Sequence, residues 1–139
     1  MKEKRNTARH KIQKILLLIL LLYSSTWAQN LQFFRERSEL DVRDTTCTVN
    51  GYYYFKNKSG KAINHTLYYP FVVNDFLPYP DSLSVRNYFN QRMIDFQKTK
   101  NAIRFPVSIP AKSIMAFKVT YRQKTPTRRM EYILTTTNF

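Results

Sequence analysis

The chain has 139 residues and carries 23 Lys and Arg against nine Asp and Glu, which gives a formal net charge of +14. A single cysteine excludes an internal disulfide. The two glycines, Gly51 and Gly60, lie nine residues apart, so the chain has no glycine-rich phosphate-binding loop.

The first 28 residues have the three parts of a secretory signal. Basic residues extend to Lys14, an apolar run covers residues 15–22, and small or polar residues lead to Ala28. The run is much shorter than the about 20 apolar residues of a membrane-spanning helix. We therefore expect a signal-peptide helix at residues 1–28 that is cleaved after Ala28. An uncleaved signal anchor that tethers the chain to the membrane is the alternative.

Cleavage would leave residues 29–139 as one exported domain in the periplasm, on the cell surface or outside the cell. That domain has 17 basic and eight acidic side chains, so its net charge is +9. Its abundant Tyr, Phe, Val, Ile and Thr residues favour strands. Residues 29–38 form a polar lead-in containing Phe33 and Phe34, and apolar and charged residues then alternate over residues 39–43.

The clearest predicted unit covers residues 47–71. Alternation places Cys47, Val49, Gly51, Tyr53 and Phe55 on one face of a strand, with Cys47 as a small buried hydrophobic residue. We predict that this strand forms a hairpin with residues 63–71 through a three-residue loop ending at Gly60. In that register Phe55 lies opposite Ile63 and Tyr53 opposite His65, and Gly60 adopts the left-handed conformation.

Five further strands are predicted after residue 71. Prolines 70, 78 and 80 mark a link before a strand at residues 82–88, and a hairpin is centred on residues 98–101. Alternation over residues 115–122, a basic turn at residues 124–129 and a last strand at residues 130–137 complete the domain. Seven or eight short strands predict an all-β fold, an antiparallel β-sandwich or a small barrel. The proline-bearing links favour the sandwich, because they suit crossovers between sheets.

Residues 47–71 and 109–137 resemble exported bacterial β-sandwich domains of the immunoglobulin-like kind, a group of uncharacterised function. The resemblance is carried by the segment Tyr-Tyr-Tyr-Phe-Lys-Asn at residues 52–57, Tyr-Pro-Phe at 69–71, Ile-Pro-Ala at 109–111 and Val-Thr-Tyr-Arg at 119–122. The Cys-Trp-Cys core of antibody domains is absent, because the only tryptophan is Trp27. The resemblance implies a fold and no activity.

Two surfaces are candidates for binding. Lys118 and Arg122 lie on the polar face of a predicted strand, and Arg128 and Arg129 follow in the next turn. Such a patch suits an anionic component of the cell envelope, either acidic lipid headgroups or polyanionic glycans, whereas the alternative is a set of solvated lysines and arginines.

Tyrosines form the second candidate surface. Tyr52, Tyr54 and Tyr68 are predicted to share the side of the hairpin that faces away from the core, where amphipathic rings can bind a protein partner or carbohydrate. The alternative is that a second sheet or a neighbouring domain covers them.

Enzymatic function has little support in the sequence. Beyond the signal, His65 is the only histidine, so no usual zinc site is available and no cofactor is expected. A small secreted hydrolase could use a carboxylate pair from Glu39, Asp41 and Asp44. We instead expect an exported binding or structural module of the cell envelope, with an unknown protein or anionic partner and no nucleic acid. Two glycosylation sequons occur, at Asn57 and Asn64.

Overall fold

The computed structural model describes residues 30–132, which fold as antiparallel strands without a helix. The predicted signal peptide and most of the predicted last strand lie outside these residues. None of the described residues belongs to a helix long and apolar enough to cross a membrane.

Seven strands form two sheets. In chain order they are β1 Leu31–Arg43, β2 Thr46–Asn57, β3 Ile63–Pro70, β4 Asp81–Asn87, β5 Gln97–Lys98, β6 Ala102–Ile109 and β7 Ile114–Lys124. Sheet A has the order β1-β2-β7-β4, and sheet B has the order β3-β6-β5. Buried residues of both sheets belong to one hydrophobic cluster, as expected of a β-sandwich. The prediction of an all-β, antiparallel fold is confirmed.

The alternating patterns of the two central strands of sheet A are also confirmed. In β2 the residues from Cys47 to Phe55 at odd positions are buried, and in β7 Phe117, Val119 and Tyr121 are buried in the same way. Cys47 is fully buried, and this burial raises the pKa of its thiol. Both strands are central because each has a neighbour on either side, so one face of each must enter the core.

The predicted hairpin between β2 and β3 is wrong. β2 lies between β1 and β7, whereas β3 pairs with β6 in the other sheet. Since β1 and β7 occupy both edges of β2, the chain crosses to sheet B, and Gly60 does not adopt a left-handed conformation. The apolar faces of β2 and β3 still meet, but across the core: the hydroxyl oxygens of Tyr53 and Tyr69 are 2.8 Å apart.

A buried asparagine holds this crossover in place. The side-chain amide nitrogen of Asn57 donates to the carbonyl oxygens of Lys61, Ile109 and Pro110 at 2.8, 3.0 and 3.0 Å. Its side-chain oxygen accepts from the backbone N–H and the hydroxyl of Ser59. Asn57 therefore binds both the β2–β3 and the β6–β7 connection at the same end of the sandwich.

The described part of the C-terminal segment is tied to the core by Tyr132. Its hydroxyl lies 2.8 Å from those of Tyr53 and Ser38 and donates to the carboxylate of Glu36 at 2.9 Å. Together with Tyr69, these side chains form a network that we call the tyrosine network. Burial raises the pKa of Tyr53, Tyr69 and Tyr132.

Other predictions differ in detail from the structure. The polar lead-in at residues 29–38 and the alternating residues 39–43 do not form separate segments: Leu31–Arg43 is one continuous strand, β1, with a bulge between Phe33 and Arg35. The predicted hairpin around residues 98–101 is confirmed, although β5 has only two residues. Of the predicted last strand, only residues 130–132 are described, and they belong to no strand.

Candidate binding face on the four-stranded sheet

A row of three cations and one tyrosine crosses the outer face of sheet A. Paired residues of neighbouring strands point to the same side of a sheet. The register places Arg37 of β1 beside Tyr52 of β2, Tyr52 beside Lys118 of β7, and Lys118 beside Arg86 of β4. The odd-numbered residues of β2 and β7 point into the core, whereas Tyr52 and Lys118 have even numbers. The row therefore faces away from the core.

Four aromatic rings run parallel to this row across the width of sheet A. Ring centroids are 6.2 Å apart between Phe34 and Tyr54, 6.2 Å between Tyr54 and Tyr88, and 5.9 Å between Tyr88 and Phe89. Such spacings are typical of favourable ring pairs. We call these four residues the aromatic ladder. Its two ends are open to solvent, with Phe34 44% and Phe89 56% exposed.

Tyr52 supports the cations and is itself covered. The Arg37 guanidinium lies 4.2 Å and the Lys118 ammonium 5.4 Å from the centroid of its ring, and Tyr88 meets the ring edge-on at 5.3 Å. Only 7% of Tyr52 remains exposed. The aliphatic stems of Arg and Lys commonly cover apolar surface in this way while their charged groups stay in water.

Two cations of the row have no carboxylate partner among the described residues. Lys118 and Arg86 are directly opposite each other on adjacent strands, and neither forms an ion pair with a described residue. Like charges in this position destabilise a sheet. Acidic residues of the same face form ion pairs with other arginines: Arg37–Glu39, Arg43–Asp41 and Arg122–Asp81. The pair Lys118–Arg86, beside the aromatic ladder, is therefore suited to an anionic group.

The structure brings some of the predicted site residues together. Lys118, Arg122, Tyr52 and Tyr54 all lie on the outer face of sheet A. Arg122 is bound to the Asp81 carboxylate at 2.8 Å, and this contact lowers the pKa of Asp81. Tyr54 is half-buried beneath the Arg35 guanidinium, which lies 5.3 Å from its ring centroid.

Other predicted site residues lie elsewhere. The expectation that Tyr68 shares a side with Tyr52 is wrong, because β3 belongs to sheet B and Tyr68 is on the outer face of that sheet. Arg104 lies 5.6 Å from the Tyr68 ring. Arg128 and Arg129 are exposed in the turn after β7, outside the row and the aromatic ladder.

Sequence reasoning missed Phe34, Arg86, Tyr88 and Phe89. The alternation in residues 82–88 marked a strand, but the neighbour of that strand depends on the order of strands in the sheet. β4 pairs with β7, which begins 27 residues after the end of β4. Nothing in the local sequence indicates this pairing. The signal that the sequence offers is the cation at Arg86, two residues before the consecutive aromatic residues Tyr88 and Phe89.

The residues of the alternative hydrolase do not converge. Glu39 and Asp41 share the outer face of β1, where each accepts an ion pair from a neighbouring arginine. His65 is exposed on β3, beside an open depression of about 680 Å³ that no described carboxylate lines. Within residues 30–132 no group of three or more His, Cys, Asp or Glu side chains could hold a metal ion.

Comparison with known proteins gives no relative. No protein-family model, curated protein or solved structure matches this chain.

Proposed function

We propose that this chain is an exported binding module of the cell envelope, and that the outer face of sheet A binds an anionic glycan. The observation that carries the proposal is the pair Lys118–Arg86 beside the aromatic ladder, which no carboxylate within residues 30–132 neutralises. Two cations held side by side cost stability unless an anion occupies the site. A bound carboxylate, sulfate or phosphate would remove that cost.

The aromatic ladder favours a glycan over a lipid headgroup as the source of the anion. Phe34 and Tyr54 lie on strands of sheet A, and Tyr88 and Phe89 lie in the turn that follows β4, so together the rings offer an extended platform for the apolar faces of consecutive sugar rings. Amphipathic tyrosines provide both ring surface and a hydroxyl for hydrogen bonding. The neighbouring cations would then bind the charged substituents of the sugar chain.

The proposal includes the finer fold type and the location of the chain. The four-plus-three division of strands supports an immunoglobulin-like architecture. In constant-type immunoglobulin domains the larger sheet contains the first, second, fifth and fourth strands. Here β7 takes the place of the fifth strand, so the similarity concerns architecture and not strand order. Export rests on the composition of residues 1–28, and an uncleaved anchor remains the alternative.

Calorimetric titration with polygalacturonate, an anionic polysaccharide, tests the proposal. Neutral dextran and vesicles of acidic phospholipid serve as comparison ligands. The variants are Lys118→Gln and Arg86→Gln, each of which removes one cation of the pair. Lys98→Gln is the matched control, because Lys98 lies 6.0 Å from the Tyr79 ring centroid but belongs to sheet B.

We expect binding to polygalacturonate that weakens as salt increases and is absent with dextran. Lys118→Gln and Arg86→Gln should each weaken it several-fold, and Lys98→Gln should leave it unchanged. Equal losses in all three variants would mean that net charge alone drives binding. Binding to acidic vesicles but not to polygalacturonate would reject the glycan and point to a lipid surface.

The geometry does not favour the alternative of a small secreted hydrolase. The carboxylates of Glu39 and Asp41 are held by arginines on sheet A, and the exposed His65 is on sheet B. A two-carboxylate mechanism requires both groups to flank one bond of the substrate.

A further inference from the structure

Sheet A has one strand, β1, that no described strand of sheet B faces. Across the core β2 packs against β3, where the ring centroids of Tyr53 and Tyr69 are 5.3 Å apart. β7 packs against β6, where those of Phe117 and Phe105 are 6.1 Å apart. With the orders β1-β2-β7-β4 and β3-β6-β5, the strand that would face β1 belongs beside β3. We call this place the fourth position of sheet B.

The edge of β3 at the fourth position is suited to accept a strand. Among the described strands β3 pairs only with β6. Edge strands usually avoid further pairing through charged side chains or internal prolines. β3 has no Asp, Glu, Lys or Arg, and its one proline, Pro70, is its last residue. On the inner face of β1, which a strand in this position would face, Leu40 and Val42 are 44% and 63% exposed.

The described end of the chain leads into the fourth position. After β7 the backbone N–H of Thr125 donates to the carbonyl oxygen of Thr45, between β1 and β2. Seven residues later, the Tyr132 hydroxyl lies 2.8 Å from the hydroxyls of Ser38 in β1 and Tyr53 in β2. The Tyr53 hydroxyl is also 2.8 Å from that of Tyr69 in β3. The chain therefore enters the space between β1 and β3.

The direction of this segment is opposite to that of β3. Leu31 at the start of β1 pairs with Asn57, and Ile63 at the start of β3 follows the crossover that Asn57 holds. Both strands therefore run away from this crossover, whereas the segment that ends at Tyr132 runs toward it. From Tyr69 back to Ile63, β3 covers about 20 Å. Residues 133–139 are long enough to follow it, and their Ile, Leu and Thr residues favour a strand.

We propose that residues 132–138 occupy the fourth position, as a strand that pairs antiparallel with β3 and completes sheet B. The register sets Tyr132 opposite Tyr69 and Leu134 opposite Leu67. Directly paired residues point to the same side of a sheet, so Leu134 enters the core beside the buried Leu67. The inference rests on the order of the strands and the position of Tyr132, and it does not require the proposed glycan binding.

Cysteine cross-linking of the full chain tests the pairing. The proposed register sets Thr135 opposite Thr66, which is exposed on the outer face of sheet B. The double variant Thr66→Cys with Thr135→Cys would therefore place two thiols within reach of a disulfide. Thr135→Cys with Ser108→Cys is the matched control, because Ser108 is on the same outer face but belongs to β6, one strand further away. The native Cys47 is fully buried and does not compete.

We expect mild oxidation to link residues 66 and 135 within one chain, as peptide mapping of the monomer by mass spectrometry would show. The control should form far less of its disulfide. A second measurement uses Leu134→Ala and Ile133→Ala, which remove side chains from the inner and the outer side of the proposed strand. Leu134→Ala should lower the urea midpoint of unfolding, and Ile133→Ala should change it little.

Equal cross-linking in the two double variants, or none in the first, would overturn the inference. A disulfide found only between two chains would also overturn it, because a second copy would then occupy the fourth position. Equal midpoints for Leu134→Ala and Ile133→Ala would contradict the inward position of Leu134. Neither experiment involves a glycan, Lys118 or Arg86, so this inference and the proposed function can fail separately.

Discussion

Replacing Gly51 by alanine tests whether the tyrosine network determines the packing of the core. The Tyr53 side chain lies over Gly51, two residues before it on the same face of β2. A methyl group at Gly51 would lie 2.6 Å from Cε2 and 2.7 Å from Cζ of the Tyr53 ring, and would also overlap its hydroxyl. The ring must therefore move, although it is held between Tyr69 and Tyr132.

The cost follows from what the displaced ring loses. The Tyr53 hydroxyl makes hydrogen bonds of 2.8 Å to Tyr69 and to Tyr132, each worth about 1 kcal/mol. Overpacking of a core adds about 1–3 kcal/mol. Alanine restricts the unfolded chain and recovers about 0.4–1 kcal/mol. We therefore expect Gly51→Ala to lower the free energy of unfolding by about 2–4 kcal/mol.

Urea denaturation followed by far-ultraviolet circular dichroism measures this change. Gly60→Ala is the matched control, because nothing lies within 4 Å of a methyl group there and its φ is not positive. It should be neutral or stabilise the protein by up to about 1 kcal/mol. If Gly51→Ala proved as stable as Gly60→Ala, the tyrosine network would not fix the position of Tyr53, and our account of the core would be wrong.

Three further predictions concern buried polar groups. Asn57→Ala should lower the free energy of unfolding by about 2–4 kcal/mol in the same assay, because it leaves buried carbonyl groups without a donor. A loss below about 0.5 kcal/mol would contradict the role of Asn57 at the crossovers. Burial raises the pKa of Tyr53 and Tyr69, so the unfolded chain releases their protons first. The contribution of these two tyrosines to stability should therefore be constant below about pH 10 and be lost above it, so urea midpoints should fall as the pH rises beyond that value. An unchanged midpoint above that pH would contradict the prediction. The buried Cys47 thiol, whose pKa is raised, should react with Ellman's reagent only after denaturant is added, and rapid reaction of the folded protein would refute its burial.

Local alternation was sufficient to predict the faces of the strands. The period-two pattern of β7 placed Phe117 in the core and Lys118 outside, because the direction of each side chain follows from the strand itself. The same rule correctly placed Tyr53 inside. These predictions needed no knowledge of which strands are neighbours.

Pairing between strands could not be derived in this way. Tyr53 and Tyr69 lie on matching apolar faces, and such a match is equally compatible with a hairpin and with two sheets facing each other across a core. What decides between them is that β1 and β7 occupy both edges of β2. The cation pair Lys118–Arg86 depends on the same long-range order, so sequence indicated one member and missed the other.

The buried position of Asn57 has a consequence for covalent modification. The sequence at residues 57–59 matches the acceptor motif for N-linked oligosaccharides, as does that at residues 64–66. Every hydrogen on the Asn57 amide nitrogen is engaged within the fold, and no surface of the residue is exposed. A sugar attached there before folding would keep the two sheets from closing, whereas Asn64 is exposed on β3 and could carry one. In a glycosylating host, occupancy of Asn57 would therefore mark chains that have failed to fold.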